Sequence, residues 1–534
     1  MAERTGGEPI GVVFESTGHR AMCLIDAKAL TEARRRAGPA FRAATSVGGL
    51  VKISTAEVLL LGTITELAAD RQGGDALIAE VEYIGAGPAG PDGDLAGFSR
   101  GLNLYPHPGD PVYLVTDRDE QRIFSPHGIP YIEIGTVHPS GSVRAPIAFD
   151  RLLGRHFAVV GSTGTGKSSL VALLLTRIID VAPHSHVVVL DPHGEYARAF
   201  GPLAKIWSVD NLQLPYWFMN HEEHCEVFLA STGEDRTIDA NIMAQILVKA
   251  RQKNARPADR ARITADSPVP YHLDDLIEAL QEDMGRLEKP AEARNYIHLQ
   301  LTIQQFFADR RFRFVFDPEL WTCSLTKLLG DLLRFPAKGR PISIVDLAGV
   351  PSEIVDVVVS TLARLIFDFA VWAPREQRVP LLIVCEEAQR YLSREPAEGA
   401  ISAQRQLDRI AREGRKYGVC LGLATQRSAE LSEAALSQCG TIIALRLNNV
   451  RDQAQLRAFV PESGRSYVDV IPALQNQECI VCGEGAPVPM RISIDDLPSH
   501  LTPASDDPKF SEKWNEAVLD DRVLAEAVRC WRES

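Results

Sequence analysis

The chain contains 534 residues, enough for three or four structural units of about 150 residues each. Hydrophobic residues make up 45% and charged residues 24%, with 39 Gly and 33 Pro, values that exclude wholesale disorder and a fibrous repeat. The formal net charge is -13, from 57 basic and 70 acidic residues, which disfavours a protein that coats nucleic acid with a broad basic surface.

Residues 1–140 read as short strands separated by turns rich in Gly, Pro and Asp, with one helix over Ala27–Arg36. Many short strands with frequent turn residues are typical of a small β-barrel. We therefore predict a barrel over residues 1–140. Its predicted strands are Ile10–Phe14, Gly49–Ile53, Val58–Ile64, Ala79–Ile84, Pro111–Val115 and Ile132–Ile134.

From Phe157 onward, apolar runs alternate with segments of helical spacing. Runs without polar alternation are buried on both faces, which indicates a parallel sheet covered by helices and an α/β fold class. This α/β core occupies residues 141–214 and 339–498. Its predicted strands are Phe157–Val160, Val187–Leu190, Ile342–Val345, Leu381–Val384, Val419–Ala424, Ile442–Leu445 and Cys479–Val481.

A helical insertion interrupts the α/β core over residues 215–338. No comparable strand run occurs there, whereas Asp239–Arg251, Leu273–Arg286 and Ala291–Phe307 have helical spacing. Residues 499–534 form a C-terminal tail with a helix near its end.

Location and metal chemistry are constrained by what the sequence lacks. No apolar run reaches the roughly 20 residues of a membrane span, and the N-terminus has no apolar signal segment, so we expect a cytoplasmic protein without membrane contact. Nine sparse cysteines are then free thiols. The run from His221 to His224 lacks the spacing of a zinc helix, and we interpret it as a solvated helix start.

The sharpest motif is a P-loop, in which Gly161, four residues, Gly166, Lys167 and Ser168 follow an apolar strand and open a helix. Backbone N–H groups and the helix N-terminus converge on phosphates in such a loop. We expect Lys167 to pair with the β and γ phosphates of ATP and the Ser168 hydroxyl to ligate Mg²⁺. The predicted nucleotide-binding residues are Gly161, Ser162, Thr163, Gly164, Thr165, Gly166, Lys167, Ser168 and Ser169.

Two acids follow the buried strand that ends at Cys385, where open parallel sheets bind ligand. We assign Glu386 to the metal and Glu387 to the attacking water as general base. Another strand ends in Thr425-Gln426, and Gln426 is predicted to sense the γ-phosphate. Either Arg412 or Arg415 is suited to stabilising transition-state charge, with a surface salt-bridge cluster as the alternative.

These motifs resemble the HerA family of hexameric DNA translocases, which is grouped with the FtsK pumps and the conjugation ATPases. The resemblance extends over nearly the whole chain, including a strand-rich N-terminus similar to the family's small barrel. It is carried by LLGRHFAVVGSTGTGKSS at Leu152–Ser169, DPHGEY at Asp191–Tyr196, LPYWF at Leu214–Phe218, SPVPYHLDDL at Ser267–Leu276, CEEAQ at Cys385–Gln389 and IAREGRKYGVCLGLATQRS at Ile410–Ser428.

The resemblance implies a RecA-like motor that encloses double-stranded DNA in a homo-hexameric ring. In that scheme Arg412 or Arg415 reaches the nucleotide of the neighbouring subunit, and Arg155 assists within its own subunit. Family members commonly have His where Gln389 stands, so coupling from the acids to the next strand is expected to differ here. The family also implies a partner, either a nuclease or an NAD-consuming effector, in DNA end resection or in anti-phage defence.

An acidic ring can still bind DNA when six copies of a basic loop face one pore. Candidate pore elements are Ser393–Gln404 and Arg446–Arg451, each equally compatible with a plain surface loop. An ATP-regulated ring that scaffolds a partner without long-range movement is the alternative function. A small-molecule kinase is a third, but it leaves the barrel unexplained.

Overall fold

The computed structural model forms two compact units, which are described separately. The first unit comprises Met1–Ser185, Leu382–Arg394 and Ile410–Ser499, and the second comprises His186–Leu381, Glu395–Arg409 and His500–Ser534. The residues that the structure describes are 8–32, 46–55, 57–69, 76–125, 128–138, 141, 143–229, 235–286, 293–395, 401–460, 464–503, 511, 514 and 521–533.

The first unit begins with the predicted barrel. Six strands close in the order β2-β1-β7-β3-β4-β5, since β2 also pairs with β5, and β6 extends the sheet from β5. Val13, Val51 and Val112 are fully buried and belong to the hydrophobic core of the barrel. The elements are β1 (Gly11–Ser16), β2 (Arg20–Asp26), α1 (27–32), β3 (Leu50–Ser54), β4 (Val58–Ala69), β5 (Ala76–Pro88), β6 (Ser99–Arg100), β7 (Pro111–Leu114) and α2 (Asp117–Phe124).

Two predictions about the barrel need correction. Sequence analysis missed β2, in which the apolar run Ala21–Ile25 alternates between buried positions and positions that are half-buried or exposed. The strand predicted at Ile132–Ile134 does not belong to the barrel. It lies in β8 (Tyr131–Val137), which pairs with β9 (Arg144–Ala148) and with β18 (Met490–Ile494) in the larger sheet. Its alternation shows that β8 has a buried face, but not which sheet supplies its hydrogen bonds.

The rest of the first unit is a mixed sheet in the order β14-β15-β10-β16-β17-β18-β8-β9. The strand β10 (Phe157–Val160) pairs in parallel with β15 (Val419–Thr425) and with β16 (Thr441–Ala444). The remaining elements are α3 (Phe149–Gly154), α4 (Lys167–Val181), β14 (Leu381–Cys385), the C-terminal half of α13 (Ser402–Tyr417), α14 (Glu433–Ser437), α15 (Val450–Phe459), α16 (Arg465–Val468) and β17 (Glu478–Gly483).

The predicted parallel sheet is antiparallel at one side. β17, which contains the predicted strand Cys479–Val481, runs antiparallel to both β16 and β18. Every residue from Glu478 to Cys482 is buried, so the strand shows the continuous apolar run expected of a parallel one. Burial on both faces determines that pattern, whereas strand direction depends on how the chain returns to the sheet.

The second unit contains three parallel strands in the order β12-β13-β11 and, as predicted, a helical insertion. Within the described parts of residues 215–338, all regular structure is helical. The four-residue strand β12 was not predicted. The elements are β11 (Val187–Asp191), α5 (Tyr196–Phe200), β12 (Ala204–Trp207), α6 (His221–Phe228), α7 (Asp235–Asn254), α8 (Leu273–Met284), α9 (Ala293–Ala308), α10 (Arg313–Phe316), α11 (Leu325–Leu332), β13 (Ile342–Asp346), α12 (Val355–Trp372) and α17 (Asp521–Glu533).

The interpretation of α6 as a solvated helix start is also wrong. Glu223 and His224 are both fully buried. Glu223 accepts hydrogen bonds from Arg364 and Ser360 of α12, and His224 Nε2 lies 2.7 Å from the Tyr271 hydroxyl. All nine cysteines are free thiols, as predicted. None of the helices in the described ranges has both the length and the apolar character of a membrane span.

Candidate nucleotide site and arginine cavity

The P-loop joins the end of β10 to the start of α4, as its spacing predicts. Gly164 and Gly166 have φ values of 76° and 94°, a left-handed conformation that favours glycine. A Cβ at position 161 would lie 2.8 Å from the Thr165 hydroxyl oxygen, so this position also requires glycine. The loop therefore leaves the carboxyl end of β10 with its backbone open to a phosphate group and with Lys167 opening the helix.

Both predicted acids reach the P-loop lysine from the end of β14. The Lys167 ammonium lies 2.6 Å from Glu386 Oε2 and 3.4 Å from Glu387 Oε1, and all three side chains are buried. Glu387 has a φ of 48°, a left-handed conformation that is costly for a residue with a side chain. This backbone strain separates the two adjacent carboxylates while both still face the lysine.

A hydrogen-bonded network surrounds Glu387. Gln426 Nε2 donates to Glu387 Oε1 at 2.6 Å, and Gln389 Nε2 donates to Oε2 at 2.5 Å. The Thr425 hydroxyl donates to Gln389 Oε1, and the Thr163 hydroxyl of the P-loop donates to Gln426 Oε1. The predicted sensor thus touches both the acid and the P-loop. The direct bond from Gln389 to Glu387 was not predicted, although this position had been noted as a departure from the family.

Lys167 and Glu387 stabilise each other's charged form. Burial alone would lower the pKa of Lys167, but Glu386 and Glu387 outweigh it and raise that pKa. Burial would likewise raise the pKa of Glu387, but Lys167 and the two glutamine amides outweigh it and lower that pKa. The Glu387 carboxylate beside the lysine is therefore charged at neutral pH.

The donor set at the predicted metal position fits Mg²⁺. Ser168 follows Lys167 in the first turn of α4, and Glu386 supplies a carboxylate next to that lysine. No cluster of three His, Cys, Asp or Glu side chains suited to a metal occurs among the described residues. A protein cage is unnecessary, because Mg²⁺ in nucleotide sites takes one or two protein oxygens and completes its shell with phosphate oxygens and water.

The predicted arginine fingers line a separate cavity. Arg412 and Arg415 project from the C-terminal half of α13 and are exposed, and neither forms a salt bridge with any described residue. They border a cavity of about 670 Å³, together with Arg100 and Arg155. Its walls come from the segments that precede β10 and β15, so it lies at the amino ends of these parallel strands, opposite the P-loop.

The prediction that Arg155 assists within its own subunit is wrong in this geometry. Arg155 precedes β10, whereas Gly161 follows it. Six extended residues separate their Cα atoms by about 20 Å, which exceeds the reach of an arginine side chain. Arg155 instead forms a salt bridge of 2.5 Å with Glu484 and lines the same cavity as Arg412 and Arg415.

One of the two candidate pore elements contacts the P-loop directly. Ser162 N donates to the Arg446 carbonyl at 3.0 Å, and Asn448 N donates to the Ser162 hydroxyl at 3.2 Å. Beyond this contact, Val450 is 75% exposed at the start of α15. Of the other candidate element, Ser393–Gln404, residues 396–400 lie outside the described residues. Whether either element meets DNA stays a prediction.

Several known proteins are similar to this chain in sequence or in fold. The family described as "Helicase HerA, central domain" matches residues 132–366, a range that begins within β8. A probable helicase of Methanocaldococcus jannaschii is 25% identical over 424 residues, which cover 78% of this chain and 76% of that protein. The DNA double-strand break repair helicase HerA of Pyrococcus furiosus is 26% identical over 419 residues, covering 72% and 73%.

Among solved structures, VirB4 of Thermoanaerobacter pseudethanolicus superposes with a TM-score of 0.50. The alignment covers 71% of this chain and 99% of that one, at 13% sequence identity. At this identity the likeness concerns the fold alone.

Proposed function

We propose that the chain is a HerA-family P-loop ATPase and that it is a motor that moves along double-stranded DNA as a six-membered ring. One observation carries the proposal of a ring. Lys167 and the two acids lie at the carboxyl end of β10, whereas Arg412 and Arg415 line a cavity at its amino end. A complete hydrolysis site therefore requires the arginines of a second subunit.

Each side chain has a defined task in this proposal. When ATP binds, its phosphates replace Glu386 and Glu387 as the partners of Lys167, which neutralises phosphate charge. Glu387 then accepts the proton of the attacking water, and Gln426 holds Glu387 in place from the neighbouring strand. Ser168 and Glu386 would hold Mg²⁺, which would act as a Lewis acid toward the phosphate oxygens.

The separation of the two half-sites favours a closed ring. Head-to-tail contacts place one face of a subunit against a different face of the next, and they form a ring when the rotation closes. In such a ring the arginine cavity of one subunit faces the P-loop of its neighbour. The net charge of -13 then confines DNA contact to local basic elements, such as Arg446–Arg451, repeated around the pore.

Displacement of a triplex-forming oligonucleotide from duplex DNA tests movement directly, because it reports passage along the duplex without requiring strand separation. We expect ATP-dependent displacement, ATP hydrolysis stimulated by duplex DNA, and hexamers in native mass spectrometry. Lys167→Ala is the inactive control. If the rate of ATP hydrolysis does not change on adding duplex DNA, and verified hexamers do not displace the oligonucleotide, the proposal of a motor is contradicted.

Mixed rings test whether the arginines act across the interface. Lys167→Ala subunits retain the arginines and Arg412→Ala subunits retain the P-loop, so each type is inactive alone. In rings assembled from equal amounts, about a quarter of the interfaces pair an intact P-loop with an intact arginine. We expect about a quarter of wild-type hydrolysis if the sites act independently. If mixing restores nothing with either Arg412→Ala or Arg415→Ala, the arginines do not act in trans.

An ATP-regulated ring that controls a partner without long-range movement is the second candidate, and a contact of the barrel favours it. Arg100 of β6 donates to the Gly483 carbonyl at 2.8 Å and to the carbonyls of Ala486 and Pro487. Glu484 of the same segment binds Arg155 in the arginine cavity. A nuclease or NAD-consuming effector docked on the barrel would act through this contact. Activity of the partner that depends on the nucleotide bound to the ring, without oligonucleotide displacement, would favour this function.

A further inference from the structure

His156 is a buried histidine to which the proposed machinery assigns no task. It stands between Arg155 and β10, and only 3% of it is exposed. Its Nε2 lies 2.9 Å from the Ala411 carbonyl oxygen, and its Nδ1 lies 2.8 Å from the Leu421 backbone nitrogen. One ring therefore connects the P-loop strand to α13 and to β15.

The two bonds fix the state of the ring. A carbonyl oxygen only accepts and a backbone N–H only donates, so Nε2 carries the proton and Nδ1 is bare. Burial lowers the pKa of His156, and the bond to Ala411 only partly opposes this effect. The ring is therefore neutral at physiological pH, with both nitrogens satisfied.

The Ala411 carbonyl belongs to the helix that carries the arginine fingers. Arg412 is the next residue, and Arg415 lies one turn further along. The helix lies close to its neighbours, because a Cβ at position 414 would come within 2.5 Å of the Val419 carbonyl oxygen and 3.5 Å of the His156 ring. His156 thus contacts the last turns of α13, where the arginines enter the cavity.

We propose that His156 is a positioning residue for Arg412 and Arg415, holding them for the nucleotide of the neighbouring subunit through its bond to the Ala411 carbonyl. The proposal rests on the proposed trans action of these arginines. A shift of about 1 Å in a group that contacts the transition state can cost about 100-fold in rate, so a single bond at this place affects hydrolysis. His156 does not touch the nucleotide of its own subunit, since it lies at the amino end of β10.

Two substitutions separate the two bonds. His156→Asn places an amide oxygen near the position of Nδ1, so it keeps the bond from Leu421 and loses the one to Ala411. His156→Gln places an amide N–H near the position of Nε2, so it keeps the bond to Ala411. We expect His156→Asn to lower kcat at least about 10-fold with unchanged KM for ATP, and His156→Gln to keep most of kcat. The reverse order would overturn the proposal.

Mixed rings show on which side of the interface His156 acts. Rings of His156→Asn with Lys167→Ala should regain activity, because the Lys167→Ala subunit supplies correctly held arginines. Rings of His156→Asn with Arg412→Ala should not, because both subunits are defective on the arginine side. A role of His156 in its own P-loop would give the opposite pattern and overturn the proposal.

Two controls keep this outcome separate from the proposed function. Rings of Lys167→Ala with Arg412→Ala test trans action itself. If these rings show no activity, the proposed action of the arginines on a neighbouring subunit is refuted. The hydrolysis rate of the double variant His156→Asn/Arg412→Ala then tests whether His156 acts through Arg412 of the same chain. The double variant should hydrolyse ATP no more slowly than Arg412→Ala alone. If the fold-losses of the two single variants multiply in the double variant, His156 does not act through the arginine. If His156→Asn does not fold, as judged by thermal unfolding, the kcat of His156→Gln decides, and a 10-fold loss there overturns the proposal.

Discussion

Replacing Glu387 by glutamine tests the centre of the proposed chemistry, and the structure indicates that the site tolerates the change. Gln426, Gln389 and Lys167 all donate to the Glu387 carboxylate. A glutamine there offers one oxygen and one NH₂ group. If the NH₂ group faces Gln389, that amide reverses, and its own NH₂ group then donates to the Thr425 hydroxyl, which can accept. The oxygen still faces Lys167 and Gln426.

The expected effect is therefore confined to the chemical step. Glu387→Gln keeps the shape and the hydrogen bonds of the site but removes the proton acceptor. Loss of a positioned general base costs about 10²- to 10⁴-fold in rate. ATP binding should be retained, because Lys167 and the P-loop are intact and one negative charge near the phosphates is removed.

Single-turnover hydrolysis of radiolabelled ATP separates this effect from binding, which is measured with a fluorescent ATP analogue. Glu386→Gln is the matched control, since it removes the same charge one residue away. We expect it to raise the Mg²⁺ concentration needed for half-maximal hydrolysis, whereas Glu387→Gln leaves that concentration unchanged. A slow Glu386→Gln with normal Mg²⁺ dependence, together with an active Glu387→Gln, would reverse the two roles.

Three further predictions concern charge burial and the barrel. Lys167→Ala should abolish hydrolysis and lower the melting temperature, because two buried carboxylates lose their cation. Adding Glu386→Gln to this variant should restore part of the melting temperature but no activity. An unchanged melting temperature in Lys167→Ala would contradict a stabilising ion pair. A chain that starts just before β8 should bind ATP but lose hexamer stability or partner binding. A chain that starts near residue 142 should fail to fold, because it lacks β8, a strand of the larger sheet. Equal behaviour of the two chains would refute the placement of β8 in that sheet. Burial, with Asp356 nearby, raises the pKa of Glu226 to about 7, so the folded state favours the protonated form and stability falls as pH rises toward that value. In melting curves from about pH 5 to 8, Glu226→Gln should lose this fall and exceed the wild type at the alkaline end, and a parallel pH profile would refute it.

The sequence alone was sufficient where chemistry depends on local backbone geometry. The P-loop could be identified from sequence because glycine spacing, a preceding buried strand and a following helix determine where the phosphate-binding N–H groups point. The acids after β14 and the polar pair after β15 were readable because strand ends in a parallel sheet meet at one edge. The family resemblance rests on these motifs, and the matched family supports it over residues 132–366, which include the P-loop.

Tertiary structure decided what depends on strand pairing and on distance across the fold. β8 joins the larger sheet through β18, about 350 residues further along the chain, and no local pattern records that partner. β17 is antiparallel although its residues are as buried as those of a parallel strand. Alternation and burial report which faces are covered, while hydrogen-bond partners and direction depend on the path of the whole chain.

The same limit explains the errors and omissions at the site. Arg155 stands close to the P-loop in sequence, but an extended strand carries the two to opposite ends of the sheet. His156 was unremarkable as a single residue, and Gln389 was noted only as a departure from the family. They matter because the fold brings each within hydrogen-bond distance of a partner from a distant segment, Thr425 for one and Ala411 for the other. Motifs therefore identify groups that act through their own backbone, whereas groups that act through a neighbour become visible only when the chain is folded.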